Sequence, residues 1–182
     1  AKGDKQVDLR DGAMYIFISE KADHGVSVTH PAEFTDGKVA LRFKLEDKKD
    51  SLGLNFADLK CQEVHAGHLF AVRIYPHSIR LEDLKTGKMK MEIREARQAG
   101  TLSAEAREAL KEKEKTFKNQ LAIGEWHEVE ASVSGETLSV SIDGEEVGSF
   151  DSPGIAHPTK RTLRLAVPRN AVVDDVRIWR AK

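Results

Sequence analysis

The chain has 182 residues, 40% of them hydrophobic and 32% charged, with 29 Lys and Arg against 30 Asp and Glu. That composition excludes general disorder, and the length suits one domain over 1–182 with a sizeable core. A near-zero charge balance argues against nucleic-acid binding, no apolar run reaches the roughly 20 residues of a membrane helix, and a lone Cys61 excludes an internal disulfide framework or a Cys-rich zinc module.

The opening Ala1-Lys2-Gly3-Asp4 has no charged segment followed by an apolar stretch, so no signal peptide is expected in this chain. Residues 14–18 and 25–29 read as two strands. Then Val39, Leu41, Phe43 and Leu45 alternate with polar neighbours, which predicts a strand with one buried face. Leu52, Leu54 and Phe56 repeat that pattern. Residues 69–75 are apolar on both parities except at Arg73, as expected of a strand covered on both faces. Ile79 and Leu81, then Met89, Met91 and Ile93, continue the period of two.

From about 95 to 120 the rhythm gives way to Ala, Glu, Lys and Arg, all good helix formers. Ser103 suits an N-cap, and Glu105 falls in the first turn, where a negative charge suits the helix dipole. Leu102, Ala106, Leu110, Phe117 and Leu121 form one stripe, interrupted where Lys113 stands. One charged helix over 102–118 is expected, either solvated or offered to a protein partner.

Strand patterning resumes with Val129, Ala131 and Val133. Leu138, Val140 and Ile142 follow, and Asp143-Gly144 marks a type I′ hairpin leading back through Val147. Leu163, Leu165 and Val167 form another strand. The last has Val176 and Ile178 on one face with Asp174 sharing their parity, and Trp179 on the other. About a dozen strands with short turns predict an all-β, two-sheet antiparallel sandwich carrying one helical insertion at 95–120.

Candidate chemistry concentrates in 55–68, where Asn55, Asp58, Lys60, Cys61, Gln62, Glu63, His65 and His68 link two apolar strands. This link is either a solvated hairpin loop or folds over a sheet face. In the second case Asn55, Asp58, His65 and His68 converge on a polar ligand, histidine being the side chain suited to proton transfer near neutral pH. Cys61, His65 and His68 have chelating spacing, but no second ligand pair accompanies them, so neither metal nor cofactor is expected. Arg73 is a charge in an apolar strand, which calls for a carboxylate partner or a polar cleft. His157, Lys160 and Arg161 form either a second cleft rim that binds an anion or a plain surface loop. With few aromatic residues, Trp126 and Trp179 read as packing rather than sugar platforms.

The succession Gly124-Glu125-Trp126-His127-Glu128-Val129, Ser141-Ile142-Asp143-Gly144 and Val173-Asp174-Asp175-Val176-Arg177-Ile178-Trp179 resembles the concanavalin A-like lectin/glucanase superfamily. Within it the chain is similar to the secreted 3-keto-disaccharide hydrolase-type domains of planctomycete-like bacteria, including Pro153-Gly154-Ile155-Ala156-His157-Pro158 before the penultimate strand. The resemblance implies a jelly roll and a secreted or periplasmic location. It also implies an "NSG…R" strand, which here reads Ser51-Leu52-Gly53-Leu54-Asn55-Phe56 without the arginine. The Glu-x-Asp-x-x-Glu run of laminarinase-type members is absent, so no catalytic residue is assigned. Three functions follow as expectations: non-catalytic binding of a polar ligand such as carbohydrate, glycoside processing at Asn55, Asp58, His65, His68 and Arg73, or a structural role through the helix.

Overall fold

The computed structural model describes residues 6–181; the opening tetrapeptide read for a signal sequence lies outside the described residues. Within them, thirteen strands, numbered along the chain, form two antiparallel sheets. One has seven strands in the order β1 (Val7–Arg10), β2 (Ala13–Phe17), β13 (Asn170–Arg180), β4 (Gly37–Lys44), β9 (His127–Ser134), β10 (Thr137–Ile142) and β11 (Glu145–Asp151). The other has six: β3 (Val26–Phe34), β12 (Lys160–Val167), β5 (Leu52–Ala57), β6 (His68–Tyr75), β7 (Ser78–Asp83) and β8 (Glu114–Lys118).

Alternation decides which side chains meet between the layers. Val39, Leu41 and Phe43 of β4 enter one core cluster with Leu54 and Phe56 of β5 and Phe70 and Val72 of β6. Phe56 stacks on Phe70 with ring centroids 4.6 Å apart, and Phe34 meets Phe56 edge-on at 6.0 Å. Burying each such side chain contributes about 1.5–3 kcal/mol, so this seam dominates the favourable side of folding. The hairpin between β10 and β11 turns at Asp143 (φ 53°) and Gly144 (φ 84°), the positive pair that a type I′ turn requires.

The insertion differs from expectation. It holds two short helices, α1 (Met91–Gln98) and α2 (Ala104–Lys111), followed by strand β8, where one helix over 102–118 was expected. Gly100 at φ 70° ends the first helical segment, and Ser103 opens α2 by accepting a hydrogen bond from the Ala106 N–H at 3.1 Å, as its cap position predicts. Phe117 leaves the helical stripe because it pairs with Ile79 across β7 and packs against the core. The strand expected at Met89, Met91 and Ile93 is instead a turn running into α1.

A register shift between Asp174 and Arg177, with Asp175 at φ 50°, breaks the parity of β13. Asp174 therefore stands opposite Arg42, 3.9 Å from its guanidinium, rather than pointing inward, and Val176 is exposed.

Candidate functional site

The polar outer face of the six-stranded sheet gathers the chemistry. On β5, Leu52, Leu54 and Phe56 point inward, which turns Gly53, Asn55 and Ala57 outward. Pairing then sets Gly53 beside Arg73 and Ala166, and Asn55 beside Ala71 and Arg164. Three small residues (Gly53, Ala71 and Ala166) thus make a floor over which long side chains can lie. A Cβ at Gly53 would sit 2.5 Å from Arg73 Nη1, so this glycine leaves the space that the guanidinium fills.

Arg73 Nε donates to Glu82 Oε2 at 3.0 Å, and Lys88 Nζ donates to Glu82 Oε1 at 2.5 Å. Arg80 approaches the same carboxylate at 4.0 Å and Glu114 of β8, which stands opposite Glu82, at 3.8 Å. The Glu82 side chain is only 3% exposed. Burial works to raise its pKa, but Lys88 and Arg73 outweigh it, and the carboxyl titrates below its ordinary value. These groups border a cleft of about 270 Å³ whose walls include Tyr75 and Pro168.

Along the same face, Arg164 reaches the turn at His65–Gly67 and donates from Nη2 to the Ala66 carbonyl at 2.9 Å. His68 lies near Arg164, Arg73 and His65. Burial first, and then these charges, push its pKa down to about 4, so it is neutral at pH 7. Two polar atoms here are buried without a hydrogen-bond partner: Asn55 Oδ1, in a residue 4% exposed, and His68 Nδ1. An amide oxygen and a ring nitrogen left open beside two guanidinium groups constitute a set ready to receive a polar ligand.

Of the residues singled out from sequence, the fold therefore brings Asn55, His65, His68 and Arg73 to one region. Asp58 is engaged elsewhere. His157 Nε2 bonds its Oδ2 at 3.0 Å, Arg161 Nε lies 3.2 Å from Oδ1, and the Lys60 N–H donates to Oδ1 at 2.9 Å. Burial opposes ionisation of Asp58, but these partners prevail and its pKa is lowered. Asp58 thus joins Arg161 by an ion pair and His157 by a hydrogen bond, tying the end of β5 to the start of β12.

Lys160 is a correction. It does not line a rim: it is fully buried beside Phe34, its Nζ donates to the Thr35 carbonyl at 2.5 Å, and burial lowers its pKa while Asp36 works in the opposite direction. The irregular register between Lys160 and Thr162 turns it inward. Cys61, His65 and His68 do not assemble either; among the described residues no three His, Cys, Asp or Glu side chains stand close enough to hold a metal.

Glu82, Lys88, Arg80 and Arg164 escaped the sequence reading. The signal was present in the outward parity of Arg80 and Glu82 on β7 and of Arg164 on β12, opposite apolar partners that face the core. Trp126 and Trp179 belong to the other layer, half-exposed under Arg42 at 4.9 Å and Lys38 at 4.8 Å. No helix among the described residues is long and apolar enough to cross a membrane.

No family model matches the chain, and no curated protein matches it by sequence. Solved structures match its fold. The family 66 carbohydrate-binding module from Bacillus subtilis superposes with a TM-score of 0.62 at 8% identity, covering 94% of this chain and 89% of that one. A non-specific endo-β-1,3(4)-glucanase of glycoside hydrolase family 16 gives 0.60 at 16% identity, over 95% of this chain and 73% of that one. Sheep galectin-11, in complex with glycerol, gives 0.56 at 13% identity, over 87% of this chain and all (100%) of that one. The fold shared with these structures is a jelly-roll β-sandwich.

Proposed function

We propose that this domain binds carbohydrate on the outer face of its six-stranded sheet and does so without turning it over. The observation that carries the reading is the face itself. Arg73, Glu82 and Lys88 hold one another in place above a floor of small residues, while Asn55 Oδ1 and His68 Nδ1 stand unpartnered beside them. Sugars are recognised through groups of this kind, fixed before the ligand arrives so that little ordering entropy is spent on binding. A carbohydrate-binding module and galectins among the structures of similar fold support the same reading. Hydrolysis of a glycoside ordinarily uses two carboxyl groups, one of them protonated as the general acid. Glu82 is held the other way, ionised between Arg73 and Lys88, which favours binding over turnover.

Calorimetric titration with a panel of soluble polysaccharides tests this. Binding is expected, and Arg73→Ala should weaken it by about tenfold or more, the loss of one charged hydrogen-bonding group. Trp126→Ala on the opposite sheet should leave affinity unchanged. Absence of binding across the panel, or equal losses in both variants, overturns the site. Release of reducing ends on prolonged incubation overturns the non-catalytic part.

A further inference from the structure

Beyond Lys88, the polar face runs into a second hollow of about 230 Å³ between β7 and the helical insertion. Its charges are unevenly satisfied. Glu82 is taken by Arg73 and Lys88, and Glu114 lies beside Arg80. Asp83 is buried and accepts from the Thr86 N–H and hydroxyl, the Ser152 hydroxyl and the Gly154 N–H. Lys111 pairs with Glu108. Arg97 from α1, Arg107 from α2 and Lys113 just before β8 line the same hollow, and among the described residues none of the three has an ion pair or a side-chain hydrogen bond.

Three unpaired cations around one hollow repel each other, a local excess of positive charge in a chain that as a whole is nearly neutral, at net charge −1. At the far end of the face, Arg164 has its pKa lowered by burial and bonds only a carbonyl, with the unpartnered Asn55 Oδ1 nearby on the next strand. Cations therefore stand at both ends of this face, while the carboxylates between them, Glu82, Asp83 and Glu114, are already occupied.

We infer that the carbohydrate bound by this face is a polyanion, a glycan bearing carboxylate or sulfate groups, and that the inserted helices supply Arg97 and Arg107 as its second anchoring point. This rests on the carbohydrate-binding reading and adds the ligand's charge. Guanidinium groups are suited to it, because their paired N–H donors match the two oxygens of a carboxylate or sulfate. The insertion then has a purpose that its solvent-facing helices otherwise lack.

The test is calorimetry of the full chain with polygalacturonate, dextran sulfate and unsubstituted dextran, each at low and high salt. At least one acidic polymer should bind about tenfold or more tightly than dextran and weaken steeply as salt rises. The relative strength of the two acidic arms shows whether carboxylate or sulfate is preferred. The double variant Arg97→Ala/Arg107→Ala, exposed on helices without buried residues, should melt like the parent and lose about tenfold in affinity for the acidic polymer only. If dextran binds as well as the acidic polymers, or the double variant binds them unchanged, the inference falls and carbohydrate binding stands. If none of the polymers binds, both fall. Duplex DNA is the control: binding as tight as that of the acidic glycan means unspecific polyanion capture and also overturns the inference.

Discussion

Gly53 and Gly154 both lie against a charged group, yet they answer substitution differently. A methyl group at Gly53 meets Arg73 Nη1 at 2.5 Å, the far end of a long side chain; at Gly154 it meets Asp83 Oδ1 at 1.9 Å, in a buried carboxylate that accepts from four donors, one on Oδ1 and three on Oδ2. Gly53→Ala should therefore cost about 1–2 kcal/mol, since the guanidinium pushed from the cleft loosens its bond to Glu82 while Lys88 keeps that carboxylate paired, and should lower glycan affinity. Gly154→Ala should cost about 3 kcal/mol, through overpacking and the loss of charged hydrogen bonds. Denaturant titration of the two variants side by side checks the contrast. His68 offers a second test. Its folded pKa of about 4 lies below the ordinary 6.5, so between those values the unfolded chain takes up a proton that the folded protein refuses. Stability is full above pH 6.5 and declines as pH falls toward 4, with a slope approaching about 1.4 kcal/mol per pH unit for the one proton. His68→Gln should flatten that part of the curve in urea titrations at pH 7, 5.5 and 4. Loss of the lowered-pKa carboxylates Asp58 and Glu82 is common to both proteins and cancels in the comparison. An identical slope in parent and variant would show that His68 titrates normally. Arg73 was legible as a charge within an apolar strand, and Asn55 and His68 as members of the polar link between two such strands. Glu82 and Arg164 were not, because a charge on the exposed parity of a strand is what a solvated face also shows, and only the pairing of β12, β5, β6 and β7 places them together.

At the level of elements the insertion shows where local preference yields to packing. Residues 104–111 carry their own cap and helix formers, and they fold as read. Residues 114–118 continue the helical composition, yet they pair along β7, because there Phe117 is covered by the core and by the bare backbone of Gly148. The polar gap at Lys113 marked the change, but nothing local to the chain could say that β7 had an unfilled edge. The two kinds of element should respond differently to removal. Neither helix buries a residue, so replacing 92–111 by a short Gly-Ser linker should leave the melting temperature within a few degrees of the parent. Deleting 95–120 also takes β8 away, exposing the β7 edge and the surface beneath Phe117, and should lower the melting temperature by about 10 °C or more or cause aggregation. Differential scanning calorimetry of the two deletions decides it; equal melting temperatures would mean that β8 contributes nothing to the sandwich.

For the whole molecule, the period-two pattern gave the layered architecture directly, since it states how many strands have an inward face, while strand order and the parity break in β13 depend on contacts far apart in sequence. What the pattern leaves open is whether the layers stand or fall together. The core answers in favour of one unit: side chains of both sheets enter a single cluster, with Phe56 at its centre between Phe34 and Phe70. Phe56→Ala should cost about 3–5 kcal/mol, the usual consequence of emptying a large, well-packed site. Phe56 belongs to the six-stranded sheet, whereas Trp126 and Trp179 lie against β4 of the seven-stranded sheet. Tryptophan fluorescence therefore reports on the layer that the substitution does not touch. In a cooperative sandwich the urea midpoint seen by fluorescence shifts by the same amount as that seen by far-ultraviolet circular dichroism, and the slope of each transition is unchanged. If the fluorescence midpoint stays where it was while the dichroism transition broadens or splits, the seven-stranded sheet is holding together without its partner, and the binding face rests on a layer that can open by itself.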